Sequence, residues 1–231
     1  SEVFVQSNLS GFYNTIGQFE IAIDIGNEVL NNSQQIGRSN LYRNALLNLG
    51  IAHHNLGKLD KAAALLGDAI DLCQQTADGW IEVNSWLRMG HLHIDRKQFA
   101  EALNAFEKAE ALQTDIDETS VLAETWSGLA ATYMGLGDIK NAKRYAQQAL
   151  PYMHADKIDE SWAWARAYFY VCQILAQIQD ERAATIIRYA IDARDTRAAK
   201  MSDESRRHTY LWHVSENHML DVLYEWIVES G

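Results

Sequence analysis

Proline occurs once in the 231 residues, against an average usage of about 5%. Hairpins, Greek keys and long loops normally need more, whereas helix interiors cannot accept it because the ring breaks the backbone ladder. Cysteine occurs twice, at Cys73 and Cys172. That excludes the dense disulfide framework of small secreted domains and suits buried, reduced thiols that act as small hydrophobes. Positive charge is also short, with 20 lysines and arginines against 31 acidic residues and a formal net charge of −11. A sequence-independent grip on nucleic acid needs basic side chains to neutralise phosphates, and anionic membrane surfaces select for them too; neither partner is expected. No apolar run reaches the roughly 18 residues of a membrane span. The N-terminal Ser1-Glu2 opens no basic, then apolar, secretory leader, so the chain reads as cytoplasmic.

What is present in quantity is hydrophobic residue, 48% of the chain, enough for a sizeable core and too much for a disordered segment. Its arrangement is repetitive. The segments ALLNLGIAHHNLGKLDKAAALLGDAI, SWLRMGHLHIDRKQFAEALNAFEKAE and TWSGLAATYMGLGDIKNAKRYAQQAL superimpose without gaps at a spacing of 40. Ala62, Ala102 and Ala142 coincide, as do Leu49, Met89 and Leu129, and His53, His93 and Tyr133. Gly50 and Gly90 match Ala130, and Leu46 matches Trp86 and Trp126. One step back, Leu9, Tyr13, Phe19 and Ala22 fall in the same register; one step forward, a looser copy shifted by one residue carries Ala183, Ile187 and Ala190. Self-similarity at a fixed period of this length is the signature of a repeat architecture.

Each copy reads as two helices. In the first complete one, Leu46, Leu49, Ala52, His53 and Leu56 recur at helical spacing behind a candidate N-cap, Ser39. Gly57-Lys58 makes the turn, and Leu59, Ala62, Leu65, Leu66, Ala69 and Ile70 form the apolar stripe of the second helix. Small residues at Gly50, Ala62 and Ala69 let the paired axes approach to the usual 8–10 Å or so; Trp86, Phe106 and Trp126 fill the space beside them. Asp78, Asp117 and Asp159 read as caps of later first helices. Gly137-Asp138 is the third turn, and the copy that has lost both turn glycines is expected to turn at Gln179-Asp180. The expected fold is all-α, a solenoid of five helix-turn-helix repeats over residues 1–38, 39–77, 78–116, 117–157 and 158–201. Residues 202–231 break the repeat. Ser202 and Ser215 are candidate caps of two closing helices, with Leu220, Val222, Leu223, Trp226 and Ile227 as their apolar stripe. Repeat arrays need such an end piece, and this one is expected to cover Ile187, Ala190 and Ile191.

The order Trp, Met, Gly, His, Ala, Phe, Ala at Trp86, Met89, Gly90, His93, Ala102, Phe106 and Ala109 resembles the tetratricopeptide repeat. It returns as Trp126, Leu129, Ala130, Tyr133, Ala142, Ala146 and Ala149. The resemblance covers roughly residues 1–200. The usual period is about 34, so the chain resembles the longer-repeat branch, which includes the C-terminal sensor arrays of large bacterial signal-transduction ATPases and of maltose-type transcription activators. The segment RRHTYLWHVSENHML, Arg206 to Leu220, resembles a phrase that often ends such arrays. The resemblance implies a right-handed solenoid whose first helices line a concave binding face.

No catalytic constellation stands out. His53-His54 and His91-x-His93 are too close in sequence to share a helical face, so a metal pair at i, i+4 is absent, and a packing role is expected. Gly57-Lys58 lacks the rest of a phosphate-binding loop. Cys172, in the run Tyr168, Phe169, Tyr170, has no nearby histidine and reads as structural. Trp80, Trp162 and Trp164 begin the long first helices, where they pack between repeats or rim a binding surface.

The expected function is therefore binding of a protein or peptide, without catalysis and without a cofactor, as part of a bacterial regulator. Alternatives are a small-molecule effector sensor, which needs a closed aromatic-lined cavity, and a self-assembly module. Carried over from the family resemblance, the partner-binding positions are Asn44, Asn48, His54, Asn55, Asn84, Arg88, His91, Asp95, Glu124 and Tyr168, alongside Leu47, Ile51, Leu87, Ile94, Ser127, Met134 and Leu175. Asn48 and Arg88 alone fit the family's clamp for C-terminal carboxylates, with Ser7, Gly11 and Asn84 at its other places. Nothing in the repeat's own packing is expected to require Asn44, Asn55, Asn84, His91 or Asp95, which leaves them free for recognition.

Overall fold

The computed structural model describes residues 2–37, 39–76, 79–113, 119–153 and 164–229. Among these there are twelve α-helices and no strand. Five antiparallel pairs follow one another: α1 (Glu2–Thr15) with α2 (Phe19–Gln35), α3 (Ser39–Asn55) with α4 (Leu59–Thr76), α5 (Gly79–Asp95) with α6 (Phe99–Leu112), α7 (Thr119–Gly135) with α8 (Ile139–Ala149), and α9 (Trp164–Gln177) with α10 (Arg182–Ala199). The closing helices are α11 (Glu204–Trp212) and α12 (Ser215–Tyr224), the latter running into a wider π-type turn at Glu225–Glu229. The single proline lies in a short 3-10 turn after α8, where no helix interior is broken.

All five intra-pair turns use one device. A single residue enters the left-handed region, at Gly17 (φ +78°), Gly57 (+71°), Lys97 (+58°), Gly137 (+80°) and Gln179 (+55°). Its N–H and the next one bond back to carbonyls of the finished helix, as Gly57 does to His54 and Lys58 to His53 at 2.9 Å each. This is how a helix C-terminus satisfies its orphan carbonyls. The turn expected at Gln179-Asp180 is in place, and Lys97 and Gln179 show the geometry surviving without glycine. Asp138 then caps α8, accepting from the Asn141 N–H at 3.0 Å. The capping expectations at Asp78, Asp117 and Asp159 lie outside the described residues, as does Trp162.

Ala22, Ala62, Ala102 and Ala142 are fully buried where paired helices meet. The tightest seat belongs to Phe106, whose ring lies across two glycines of neighbouring first helices. A Cβ added at Gly90 would sit 2.7 Å from the ring and one at Gly128 2.3 Å from it. One aromatic thus keys the third repeat to the fourth, and neither glycine has room for a larger residue. Successive first helices pack on one another (α1 on α3, α3 on α5, α5 on α7, α7 on α9), while second helices pack on first helices. The five first helices therefore form the inner face. Cys73 and Cys172 are buried and outside any disulfide, and burial pushes the Cys172 thiol up, away from reactivity. His53 is buried, and His93 meets Gln98 at 2.9 Å.

The closing helices depart from expectation in three ways. The cap of α11 is Asp203, accepting from the Arg206 N–H at 2.8 Å, rather than Ser202. Ser215 is already inside α12, preceded by an extended Val214. Only part of the expected apolar stripe is used. Leu220 and Leu223 join the core of Ile187 and Ala190 and close the array's end. Val222 (57% exposed) points away from the buried Leu220 and Leu223 on α12, and Trp226 (50%) is exposed in the wider turn that follows.

Candidate functional site

The inner face divides into two halves. In the first, polar side chains tie α1 to α3. The Asn44 amide donates to the Ser7 hydroxyl oxygen at 3.0 Å, the Asn48 amide to the Ser7 carbonyl at 3.3 Å, and the Asn14 amide to the Asn48 carbonyl at 2.9 Å. Beside this ladder runs a cavity of about 380 Å³ lined by Ser7, Asn8, Phe12, Thr15, Asn44, Leu47, Asn48, Ile51, Trp80, Asn84 and Arg88. Phe12 (51% exposed) and Trp80 (40%) stand at its rim. Among the described residues, Asn84 and Asn55 bond to their own helices, donating to the carbonyls of Trp80 at 2.9 Å and Ile51 at 3.0 Å.

The second half is charged and closed. His54 Nε2 meets the Asp95 carboxylate at 2.7 Å, and Arg166 donates to the same oxygen at 3.0 Å. The other edge of Arg166 holds Glu216 of α12, through Nε at 2.8 Å and Nη2 at 2.7 Å. Arg88 pairs with the buried Glu124, which also accepts from His91 Nε2 at 3.0 Å. A fully desolvated ring is held neutral: burial pushes the His91 pKa down to about 4, against the opposing pull of Glu124. With Nε2 carrying the proton, its lone pair is on Nδ1, and the ring sits edge-on to Phe106 with centroids 5.1 Å apart. Burial pushes Glu216 up, but the Arg166 guanidinium and hydrogen bonds outweigh it and hold the carboxyl at about 2. Asp95 is likewise held well below the usual carboxylate range by His54 and Arg166 against its own desolvation.

This half is closed by the corner between α11 and α12. Val214 packs on the cluster of Tyr13, Phe19, Ala22, Ile23, Ala52 and Leu56 in the first two repeats, and its methyl lies over Gly17. The tail therefore does more than cap the last repeat: it crosses the inner face and touches the first.

The ten positions expected to bind a partner are thus brought to one face but not to one fate. Asn44, Asn48 and Asn84, with Arg88 at the boundary, line the open cavity. Asn55 borders a smaller void under the corner. His54, His91, Asp95 and Glu124 are engaged in the charged network, and Tyr168 is buried against Trp164 at a centroid distance of 6.1 Å. The expectation that packing does not require these residue types is corrected at Asn44, His91 and Asp95, each of which bonds to another repeat. Arg88 is paired within the fold, and Asn48 is buried and bonded, so neither stands as a ready carboxylate clamp. Among the described residues no group of three or more His, Cys, Asp or Glu could hold a metal, and no helix is long and apolar enough to cross a membrane. Sequence reasoning did not single out Arg166, Val214 or Glu216. The segment Arg206 to Leu220 was marked as unusual, yet no spacing links it to Arg166.

Stacked helix pairs with a common inner face define a helical-repeat solenoid. The chain belongs to the tetratricopeptide repeat family, whose sequence pattern matches residues 3–75 and 82–153. No curated protein matches it in sequence. Its fold is similar to that of a putative kinesin light chain with nearly identical TPR-like repeats from Podosopora anserina, at 17% identity and a TM-score of 0.58 over 87% of this chain and 98% of that one. The apo form of the quorum sensor NprR from B. thuringiensis is similar at 17% identity and a TM-score of 0.62, over 91% of this chain and 55% of that one. A Rap protein complexed with competence and sporulation factor gives 13% identity and a TM-score of 0.62, over 100% and 65%. At these identities the likeness is one of fold.

Proposed function

We propose that the chain is a non-catalytic recognition array that binds an extended protein segment in the open half of its inner face, as the sensing part of a regulatory protein. One observation carries this reading. The cavity of about 380 Å³ runs across three successive first helices and combines amide side chains with two exposed aromatics. Amides both donate and accept, so they suit a peptide backbone; Phe12, Trp80, Leu47 and Ile51 offer the apolar contact that anchors side chains. Two solved structures of similar fold are a quorum sensor and a Rap protein in complex with a factor, which agrees with a sensing role here.

The test is selection of peptides from a displayed random library, followed by calorimetry on the wild-type chain and on Trp80→Ala and Asn84→Ala. Selected peptides are expected to lose about tenfold in affinity, roughly 1.4 kcal/mol, on Trp80→Ala. Peptides that bind both variants as tightly as the wild type would move the site elsewhere. If only small aromatic compounds bind, the cavity serves an effector instead.

A further inference from the structure

The closed half of the inner face already contains a bound segment, and its geometry has the features of recognition rather than of filling. Val214 enters an apolar seat made by residues of α1, α2 and α3. Two residues on, Glu216 takes two donors from Arg166, and its second oxygen accepts from the Ser215 hydroxyl at 2.9 Å. Asn217 is buried, donates to the Tyr210 carbonyl at 2.8 Å, and offers its own carbonyl to Arg194 at 2.9 Å. Both guanidinium nitrogens converge on the one oxygen Oε1, and charge-assisted bonds of this kind are stronger than neutral ones.

Two observations set this occupant apart from the core. The first is the void beneath it, about 70 Å³, bordered by Asn14, Asn55, Arg88 and Arg197. Asn14 is 5% exposed, its amide nitrogen is committed to the Asn48 carbonyl, and its oxygen accepts nothing. A buried acceptor left without a donor is unusual, and a ligand with a donor at this point would satisfy it. The second is the division of labour in the tail. The end cap rests on Leu220 and Leu223, which belong to the main core with Ile187 and Ala190. The corner meets the inner face through Val214, with Thr209 beside it over Gly17, and through the Arg166–Glu216 ion pair, a seat separate from that of the cap.

We propose that the closed half is an exchangeable docking site for a protein segment that presents a Val-x-Glu pattern at the start of a helix, and that Val214–Glu216 of the chain itself is its resident occupant. A partner carrying the same pattern competes with the tail and, on displacing it, joins the closed half to the open groove. This stands apart from the reading of the open half, whose test uses Trp80 and Asn84.

The experiment uses the full chain with Val214→Asp and Glu216→Lys, whose own corner no longer fits. The probe is a fluorescent peptide of residues 203–220 in native sequence, read by anisotropy. The double variant is expected to bind it at least about tenfold more tightly than the wild-type chain does, and the same peptide carrying Glu216→Lys is expected to lose that gain. Equal binding by the two chains, or none by either, overturns the proposal. If the double variant does not fold, hydrogen exchange on Glu216→Gln decides. Faster exchange confined to residues 209–217, with α3, α5 and α7 unchanged, supports an exchangeable corner; unchanged exchange at the corner, or loss of protection throughout, overturns it.

Discussion

The two halves of the inner face are built from the same repeat positions with different chemistry. One column reads Asn44, Asn84, Glu124, another Asn8, Asn48, Arg88, and a third Thr15, Asn55, Asp95. Each changes from neutral polar to charged as it passes from the first repeats to the later ones. Neutral Asn8, Asn44, Asn48 and Asn84 line the open cavity; charged Glu124 and Asp95 pair across repeats, with Arg88 and Arg166. Charges brought together in a partly desolvated face are costly unless paired and hydrogen-bonded, so the charged half had to close over partners. Amides carry no such requirement, and their half has remained accessible.

The strongest way to break the comparison is at the joint between repeats three and four. Phe106→Ala removes the ring seated on Gly90 and Gly128 and should cost about 3–5 kcal/mol of stability in urea denaturation. A loss below about 1 kcal/mol would mean that this seat does not set the stacking. Next comes the charged half itself. Arg166→Met leaves Asp95 and Glu216 without their shared guanidinium, and the expected loss is about 1–3 kcal/mol. Asn44→Ala, its counterpart in the neutral half, should cost no more than about 1 kcal/mol, and equal losses would erase the contrast.

Acid should act on one half alone. His91, surrounded by Glu124, Arg88 and Arg166, has a folded pKa of about 4 against an ordinary 6.5. The unfolded chain therefore binds the proton first, and stability present above pH 6.5 is lost as the pH falls toward 4. Glu216, held at about 2 against 4.5, adds a second loss between those values. Amide side chains do not titrate. Hydrogen exchange compared at pH 7 and pH 5 should show α5 and α7 loosening while α1 is unchanged, and uniform loosening would contradict the assignment. The smallest effect belongs to Asn84→Ala, within about 0.5 kcal/mol in a thermal melt, because its amide donates within its own helix.

The fold was legible because its determinants are local and repeated. The alanines at 22, 62, 102 and 142 and the turn residues recur in register, so each copy reinforces the reading of the others. The columns of the inner face were legible for the same reason, once register was known. Their burial was not. That Asp95 lies between His54 and Arg166, or that Glu216 reaches Arg166, depends on how repeats stack and on where a non-repeating tail turns back. No periodicity carries that information. The tail's outward Val222 and Trp226 show the same limit, since an apolar pattern does not say how wide a stripe its neighbours can bury.

The contact of Val214 with Tyr13 and Gly17 also bears on how the chain folds. In an open solenoid each repeat touches its neighbours alone, so folding can start anywhere and the ends fray independently. Here the last helices hold the first, joining residues almost a whole chain apart. Contacts of such high sequence separation form late and slow the process, so the array should stack quickly and close slowly. Once closed, opening of the corner also uncovers the first repeat, which is protected by a segment synthesised after all five repeats.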